Sequence, residues 1–357
     1  MSLQFIMGNS GSGKSYCLYD TVVREAIENP DKNYLVIVPE QFTMQTQKDL
    51  CLAHPKGGIM NIDVLSFGRL AYRVFEEVGQ DARVVLDDEG KNLVLRKIAG
   101  ECEKDLKVFK GNLKKQGYIS EVKSVLSEFA QYGVDFERLD DFMKEVPPES
   151  YLHYKLDDIR TIYEKFEEYL SEKYITKEEM LDVLSDAVPY SDILKGSVVA
   201  MDGFTGFTPV QNRLIGELFS VCEKVMITVT MDGRENPYVY EHPYQIFALG
   251  KQMVTSLMKI AGEKKTEIEE PICLFERPVY RFRDCSEMAF LETELFRYSG
   301  AKYNGSCESV SLHEVRSPGK EAKYVAESIR RLVRTKGYRY RDIAVIASDM
   351  NVYADVL

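Results

Sequence analysis

The sequence has no Cys-x-x-Cys pair, no histidine cluster, no apolar run long enough to span a bilayer and no surplus of positive charge. Each lack removes a class of protein. Cys17, Cys51, Cys102, Cys222, Cys273, Cys285 and Cys307 are scattered, so neither a zinc site nor a disulfide framework is indicated, and reduced, mostly buried thiols are expected. His54, His153, His242 and His313 share no metal-ligand spacing. Without a signal peptide or a membrane-length segment, the expected compartment is the cytoplasm, with no membrane partner. A formal net charge of -11 argues against general coating of nucleic acid, because non-specific affinity comes mainly from phosphate neutralisation, so any such contact must be local. There is no internal repeat and no low-complexity linker. What remains is an ordinary globular composition, 357 residues at 45% hydrophobic and 29% charged, enough for more than one domain.

The most informative stretch present is Gly8-Asn9-Ser10-Gly11-Ser12-Gly13-Lys14-Ser15. It follows the apolar run Leu3 to Met7 and leads into a helix-compatible segment from Lys14 to about Asn29. Strand, glycine-rich loop and helix in that order predict a phosphate-binding P-loop. Its backbone N–H groups turn inward, Lys14 reaches the β- and γ-phosphates of ATP, and Ser15 holds Mg²⁺ at the helix N-terminus.

Repeated βα units fill the first part of the chain. Strands are expected at Tyr34 to Val38 and Ile59 to Ser66, and helices through Gln45 to Leu52 and Phe67 to Val78, which implies a parallel sheet with its ligand site at the strands' carboxyl ends. From Leu86 to Leu194 the pattern turns to helical periods, notably Ile119 to Tyr132 and Tyr151 to Tyr174. There Leu156, Ile159, Ile162, Tyr163, Phe166 and Leu170 form an apolar stripe read as core. Strands resume at Val198 to Met201 and Glu223 to Thr230. A helix is read through Gln245 to Ala261. Beyond it, strands at Val310 to Val315 and Asp342 to Ala347 flank a helix at Lys320 to Lys336, so a second α/β domain begins that is too short to close a sheet, as expected of a piece of a longer protein.

A P-loop enzyme needs an acidic residue on a neighbouring strand, and Asp202, ending the strand Val198 to Met201, is the natural Mg²⁺-side carboxylate. Water-activating hydrolases usually follow it with a Glu base. Here Gly203 follows, and loss of a positioned base costs on the order of 10²- to 10⁴-fold in rate while leaving binding largely intact.

The order of Gly8 to Ser15, Val36-Ile37-Val38-Pro39-Glu40-Gln41-Phe42-Thr43, Asp63 to Ala71 with its Ser66-Phe67-Gly68-Arg69 core, a helical insertion, and Asp202-Gly203-Phe204-Thr205-Gly206-Phe207-Thr208 resembles superfamily 1 helicases. More narrowly, Pro-Glu-Gln-Phe-Thr and Asp-Gly-Phe-Thr-Gly-Phe-Thr are similar to AddB (RexB), the B subunits of bacterial ATP-dependent helicase/deoxyribonucleases. The resemblance implies a RecA-like domain at residues 1–85 and 197–270, a helical insertion at 86–196, a connecting segment at 271–309 and the start of a second RecA-like domain at 310–357. It implies a hydrolase component that processes DNA breaks for recombination, with AddA as partner chain, single-stranded DNA and duplex ends as substrates, and ATP and Mg²⁺ as ligands. The nuclease domain and iron–sulfur cluster of such proteins have no counterpart here. It further implies a degenerate motor, since Met231 to Pro237 lacks a sensor Gln and Ile346 leads into Ala347-Ser348-Asp349 without the usual Arg. Such a motor would instead hold single-stranded DNA and scan for the hotspot called Chi.

The positions matching that scanning role are Gln41, Thr43, Phe67, Arg69 and Phe207, with Tyr72 where an aromatic is also expected and Phe204 as the alternative to Phe207. Aromatic faces stack bases at about 1–3 kcal/mol each, and Arg or Gln can bond base edges in pairs. Core packing is the competing reading for each aromatic taken alone. Two basic clusters, Lys104, Lys107, Lys110, Lys114 and Lys115, and Arg330, Arg331, Arg334, Lys336, Arg339 and Arg341, are either backbone tracks or solvated helix faces. A P-loop nucleotide or small-molecule kinase, or an ATPase clamp used as an assembly switch, are the alternatives. Phosphorylation of a nucleoside or sugar would mark the kinase.

Overall fold

The computed structural model describes residues 1–79, 84–113, 115–170 and 174–354. The chain divides into two compact units, Met1–Arg283 and Asp284–Leu357.

In the first unit, β1 (Ser2–Gly8), α1 (Lys14–Glu28), β2 (Tyr34–Ile37), α2 (Thr43–Ala53), β3 (Ile62–Leu65) and α3 (Phe67–Val78) alternate as their sequence periods predict. After them come β4 (Val84–Leu86), α4 (Asp88–Cys102), α5 (Gln116–Tyr132), α6 (Phe136–Glu145), α7 (Tyr151–Leu170), β5 (Tyr174–Thr176) and α8 (Glu179–Ala187). The alternation then resumes with β6 (Val198–Met201), α9 (Pro209–Val221), β7 (Lys224–Thr230), α10 (Ala248–Lys264), β8 (Glu267–Ile268) and β9 (Ile272–Leu274). The main sheet runs β3-β2-β6-β7-β1-β8, with β9 pairing beside β1, and every pairing among the described residues is parallel.

A parallel sheet must be covered on both faces, which is why its strands are continuous apolar runs. The period of two divides each run cleanly. Leu35, Ile37, Val199, Met201, Val225, Ile227 and Val229 pack with α3, α8, α9 and α10 on one face. Tyr34, Val36, Val198, Ala200 and Met226 meet Leu18, Val22 and Leu50 of α1 and α2 on the other. The chain enters α3 through Ser66, whose hydroxyl accepts the Arg69 N–H, and leaves it at Gly79 in the left-handed region.

The segment between α3 and β6 builds a separate helical core. All six stripe residues of α7 are buried there, against Val94, Leu95, Ile98, Ile119, Val122 and Leu126. The carboxylate of Asp158, itself 1% exposed, accepts the N–H groups of Lys107, Val108 and Phe109 at 2.8, 2.7 and 2.8 Å, tying the α4–α5 connection to α7. A short parallel ladder of β4 and β5 stands at its base, where few strand signals were legible. Helix α8 packs instead against α3 and α9, contributing Met180, Leu184 and Ala187 to the sheet core.

The second unit carries α11 (Ser286–Glu294), α12 (Pro318–Thr335) and α13 (Met350–Tyr353). The segments 310–315 and 342–347, read as strands from their apolar content, enter no ladder, and their residues are mostly exposed. Alternation favours extended chain, but a strand also requires a neighbour in register to satisfy its backbone, and none pairs with them among the described residues. The cysteines also differ from expectation. All are free, yet only Cys102 and Cys222 are buried, while Cys273 and Cys307 are exposed.

Candidate nucleotide and nucleic-acid site

The loop from Gly8 to Gly13 sits at the carboxyl end of β1 and opens directly into α1, with Gly11 and Gly13 at φ 84° and 96°, where a side chain would be strained. Gly8 is required for a different reason: a Cβ there would collide with Ser12 Oγ and approach the Leu274 carbonyl oxygen to 2.7 Å. Asn9 is buried, Ser10 and Ser15 are exposed, and the buried Ser12 Oγ has no hydrogen-bond partner, an orphaned donor inside the loop. Lys14 folds back over the loop, its Nζ donating to the carbonyls of Gly8 at 3.0 Å and Asn9 at 2.9 Å. Burial lowers its pKa to about 8; the Asp202 charge opposes that shift and the Arg281 charge adds to it.

The chain after β9 crosses this loop. The Arg281 N–H donates to the Gly11 carbonyl at 3.1 Å and its side chain lies over Gly11. Upstream the same segment is anchored twice. The Phe275 ring lies against Gly233, and the Arg277 guanidinium donates to Asp232 at 2.7 Å. Burial alone would raise the pKa of Asp232, but hydrogen bonds from the Arg234 side chain and backbone, and the Arg277 charge, hold it below the usual carboxylate range. The loop after β7, expected to lack a sensor Gln, is thus a buried carboxylate clamped by two arginines.

Asp202 stands at the carboxyl end of β6, one strand (β7) removed from β1. It is buried, accepting Thr228 Oγ1 at 2.6 Å on one oxygen and the Tyr19 hydroxyl at 2.8 Å on the other. A carboxylate has room for about four donors or ligands, so Asp202 keeps free lone pairs on both oxygens. The next residue, Gly203, is at φ 80°, with the Phe42 ring 3.7 Å from where its Cβ would be. A glutamate base in this position would have to adopt left-handed backbone.

The other half of the site lies at the carboxyl ends of β2, β3 and β6. Gln41 and Phe42 are exposed in a turn of 3-10 helix, while Thr43 is buried, its hydroxyl donating to the Glu40 carbonyl at 3.0 Å as α2 begins. Phe67 is 7% exposed, its ring centroid 5.4 Å from Phe204 and 6.3 Å from Phe207. It therefore supports the other two rings rather than presenting a face of its own. Phe204 and Phe207, 5.1 Å apart, are both half-buried, and Arg69 and Tyr72 are exposed on α3. The structure thus brings Phe67 together with Phe204 and Phe207, while Gln41 follows β2 and Arg69 and Tyr72 are exposed on α3, and Thr43 and Phe67 are turned inward.

Of the first basic cluster, Lys107 pairs with Asp157 at 2.8 Å and Lys115 lies over the Tyr118 ring at 5.9 Å; Lys114 lies outside the described residues. Arg330, Arg331, Arg334 and Lys336 are exposed on or just beyond α12, and Arg339 bonds Asp342. Three site residues escaped the sequence reading. Tyr19 lies one helical turn beyond Ser15 on the same face, and Thr228 is a hydroxyl interrupting the apolar run of β7; both were legible signals. Arg281 had none, because only the tertiary path brings it to Gly11. No helix among the described residues is long and apolar enough to cross a membrane.

These features define a mixed α/β protein whose parallel sheet carries a glycine-rich loop with an invading lysine at the end of β1 and an aromatic cluster after the more distant strands β3 and β6. Residues 5–292 match the family described as ADDB, N-terminal, and the chain belongs to that family. It is 42% identical over 361 residues to the B subunit of the ATP-dependent helicase/deoxyribonuclease of Lachnoclostridium phytofermentans, an alignment covering 100% of this chain and 31% of that protein. It is 33% identical to the protein of the same name from Clostridium tetani (100% of this chain, 31% of that protein). With that from Thermoanaerobacter sp. it shares 36% identity (99% of this chain, 30% of that protein). The chain thus spans about 31% of the length of these curated relatives.

Proposed function

We propose that this chain is the helicase-like N-terminal part of an AddB protein, which binds ATP with Mg²⁺ and holds single-stranded DNA, scanning it for Chi, with a motor that no longer turns over rapidly. The observation that carries the reading is the pair Asp202 and Gly203: a buried carboxylate at the strand end facing the P-loop, followed by a residue whose φ of 80° does not suit a catalytic glutamate. The loop fits phosphates, with inward-turned glycines, the orphaned Ser12 hydroxyl and Lys14. Ser15 and Asp202 would hold the Mg²⁺, and Arg281 would add a second cation to the phosphate side. Bound ATP supplies charge that these groups gather around; with no positioned base its hydrolysis is slow.

Residues 1–85 and 197–270 are assigned to a RecA-like domain, supported by the strand order that sets β7 between β1 and β6. Residues 86–196 are the helical insertion, 271–309 the connection and 310–357 the start of a second RecA-like domain. Gln41, Arg69, Tyr72 and Phe207 would contact the strand, with Thr43 and Phe67 shaping the edge. Each relative is named as the B subunit of an ATP-dependent helicase/deoxyribonuclease, which supports a partner subunit, a DNA substrate and nuclease chemistry in the full-length protein. AddA as that partner, DNA ends as the substrate, work in DNA repair in the cytoplasm and an iron–sulfur cluster elsewhere in the full-length protein are part of the same proposal and rest on the resemblance of the sequence motifs to AddB.

The test is equilibrium binding of ATP and of a single-stranded oligonucleotide, with the steady-state ATPase rate measured with and without DNA. Binding of both with negligible turnover is expected, and Lys14→Ala abolishes the ATP signal. Strong DNA-stimulated turnover, or phosphoryl transfer to a metabolite, would overturn the reading.

A further inference from the structure

Tyr19 touches both halves of the site. Its hydroxyl lies 2.8 Å from Asp202 Oδ2 on the nucleotide side and 3.2 Å from Thr46 Oγ1 on α2. Thr46 is buried, one turn beyond Thr43 and the exposed Gln41 and Phe42. The phenol has one proton, and the ionised carboxylate is the stronger acceptor. The chain of bonds therefore has a direction: Thr46 donates to Tyr19, and Tyr19 donates to Asp202. Rotation of the two hydroxyls allows a second arrangement, in which Tyr19 donates to Thr46 and Asp202 Oδ2 loses that donor while Oδ1 keeps its bond from Thr228. A cation drawing on the lone pairs of Asp202 favours that second arrangement, because it competes for the density that holds the Tyr19 proton. Beside this chain, Phe42 packs against Gly203, the neighbour of Asp202, so both contacts end on the same short segment.

We propose that Tyr19 is a positioning residue that links occupancy at Asp202 to the arrangement of the Gln41–Thr46 segment, so that binding of Mg²⁺-nucleotide and of single-stranded nucleic acid are thermodynamically coupled. The proposal rests on the functional reading above. Coupling requires two sites and a contact that differs between two arrangements, and the Tyr19 hydroxyl, within reach of both Asp202 and Thr46, is the group that can supply that difference. Linkage is reciprocal: whatever factor nucleotide applies to the strand, the strand applies to nucleotide.

The experiment titrates the 357-residue chain with a fluorescently labelled oligothymidylate, with and without saturating Mg²⁺ and the non-hydrolysable analogue adenylyl imidodiphosphate, in wild type, Tyr19→Phe, Thr46→Val and Thr46→Ser. In wild type the analogue is expected to change the oligonucleotide Kd by about fivefold or more, the lower end of typical coupling. Tyr19→Phe and Thr46→Val should bring that ratio to about one, whatever change each makes to the binary constants. Thr46→Ser, which keeps the hydroxyl, should retain the wild-type ratio. A residue that merely supported the fold would shift the binary constants and leave the ratio alone. The proposal is overturned if Tyr19→Phe keeps the wild-type ratio, or if wild type forms both binary complexes with a ratio of one. Failure of either binary complex in wild type removes the functional reading itself, and the relay with it.

Discussion

The Arg281 backbone N–H donates to the Gly11 carbonyl at 3.1 Å, and a Cβ placed on Gly11 would come within 2.7 Å of Arg281 Cβ. Loop and crossing segment are therefore fitted to each other across 270 residues of sequence (281 minus 11). Gly11→Ala has to displace that segment and also hold a side chain at φ 84°, which alone costs roughly 1–2 kcal/mol. A drop in ATP affinity of about tenfold or more is expected. Calorimetric titration checks it, and unchanged affinity would show that the crossing segment does not shape the phosphate site.

The position of Lys14 gives nucleotide binding a pH dependence. With its pKa lowered by burial to about 8, the lysine of the free protein is charged below that pH and neutral above it. Phosphates favour the ammonium, so binding above about pH 8 must take up a proton, and affinity falls by up to about tenfold per pH unit there while staying flat below. Arg281→Ala removes the charge that adds to the depression of this pKa by burial. Two opposite shifts are then expected in one variant: weaker binding at neutral pH, from the lost cation, and an inflection moved to higher pH. ATP titrations between about pH 6.5 and about pH 9.5 read both. An inflection that stays in place or moves down in Arg281→Ala would contradict this electrostatic link.

Gly203→Glu tests whether the missing glutamate alone accounts for the slow turnover proposed above. The Cβ of the new side chain would meet only ordinary contacts, 3.5 Å to Pro39 and 3.7 Å to Phe42, but in left-handed backbone. Strain there is relieved by moving the Asp202–Gly203 turn or the Phe42 ring, neither of which places a base over a phosphate. The expected outcome is ATPase activity no faster than wild type and weaker oligonucleotide binding. Rapid, DNA-stimulated turnover would show that a base was the only part missing.

The sequence-legible parts of this protein are those set by local period and local chemistry. The boundaries of α3 and β6 follow from Ser66, Gly79 and the four-residue apolar run at 198–201, and the structure places them as expected. Burial of the α7 stripe followed from its helical spacing. The errors arise where an outcome depends on distant partners. The segments 310–315 and 342–347 have the right residues for strands but no paired neighbour among the described residues. Phe67 has the right residue type for stacking, yet Phe204 and Phe207 enclose its ring. Arg281 reaches Gly11 through a path no periodicity encodes. Thr228 and Tyr19 lie between these cases, since a polar group in an apolar run announces a partner without naming it, and here both find Asp202.

The helical core offers a stability prediction separable from the site. Asp158 is a buried anion whose partners are backbone N–H groups, with Oδ2 accepting from Val108 and Phe109 and Oδ1 from Lys107. Asp158→Ala leaves three donors without acceptors, at a cost of roughly 3 kcal/mol or more. Asp158→Asn is milder, because the amide oxygen can serve the Val108 and Phe109 pair while the NH₂ group faces only the Lys107 donor. Asp157→Asn removes an exposed, solvent-screened pair with Lys107 and should change stability least of the three. The expected order of destabilisation is therefore Asp158→Ala, then Asp158→Asn, then Asp157→Asn, read by denaturant unfolding and by faster amide exchange at residues 107–109. ATP binding should survive in all three, since the P-loop packs in a different core. Equal stability of Asp158→Ala and wild type would mean that water satisfies those three donors and that the α4–α5 connection is held by its apolar contacts alone.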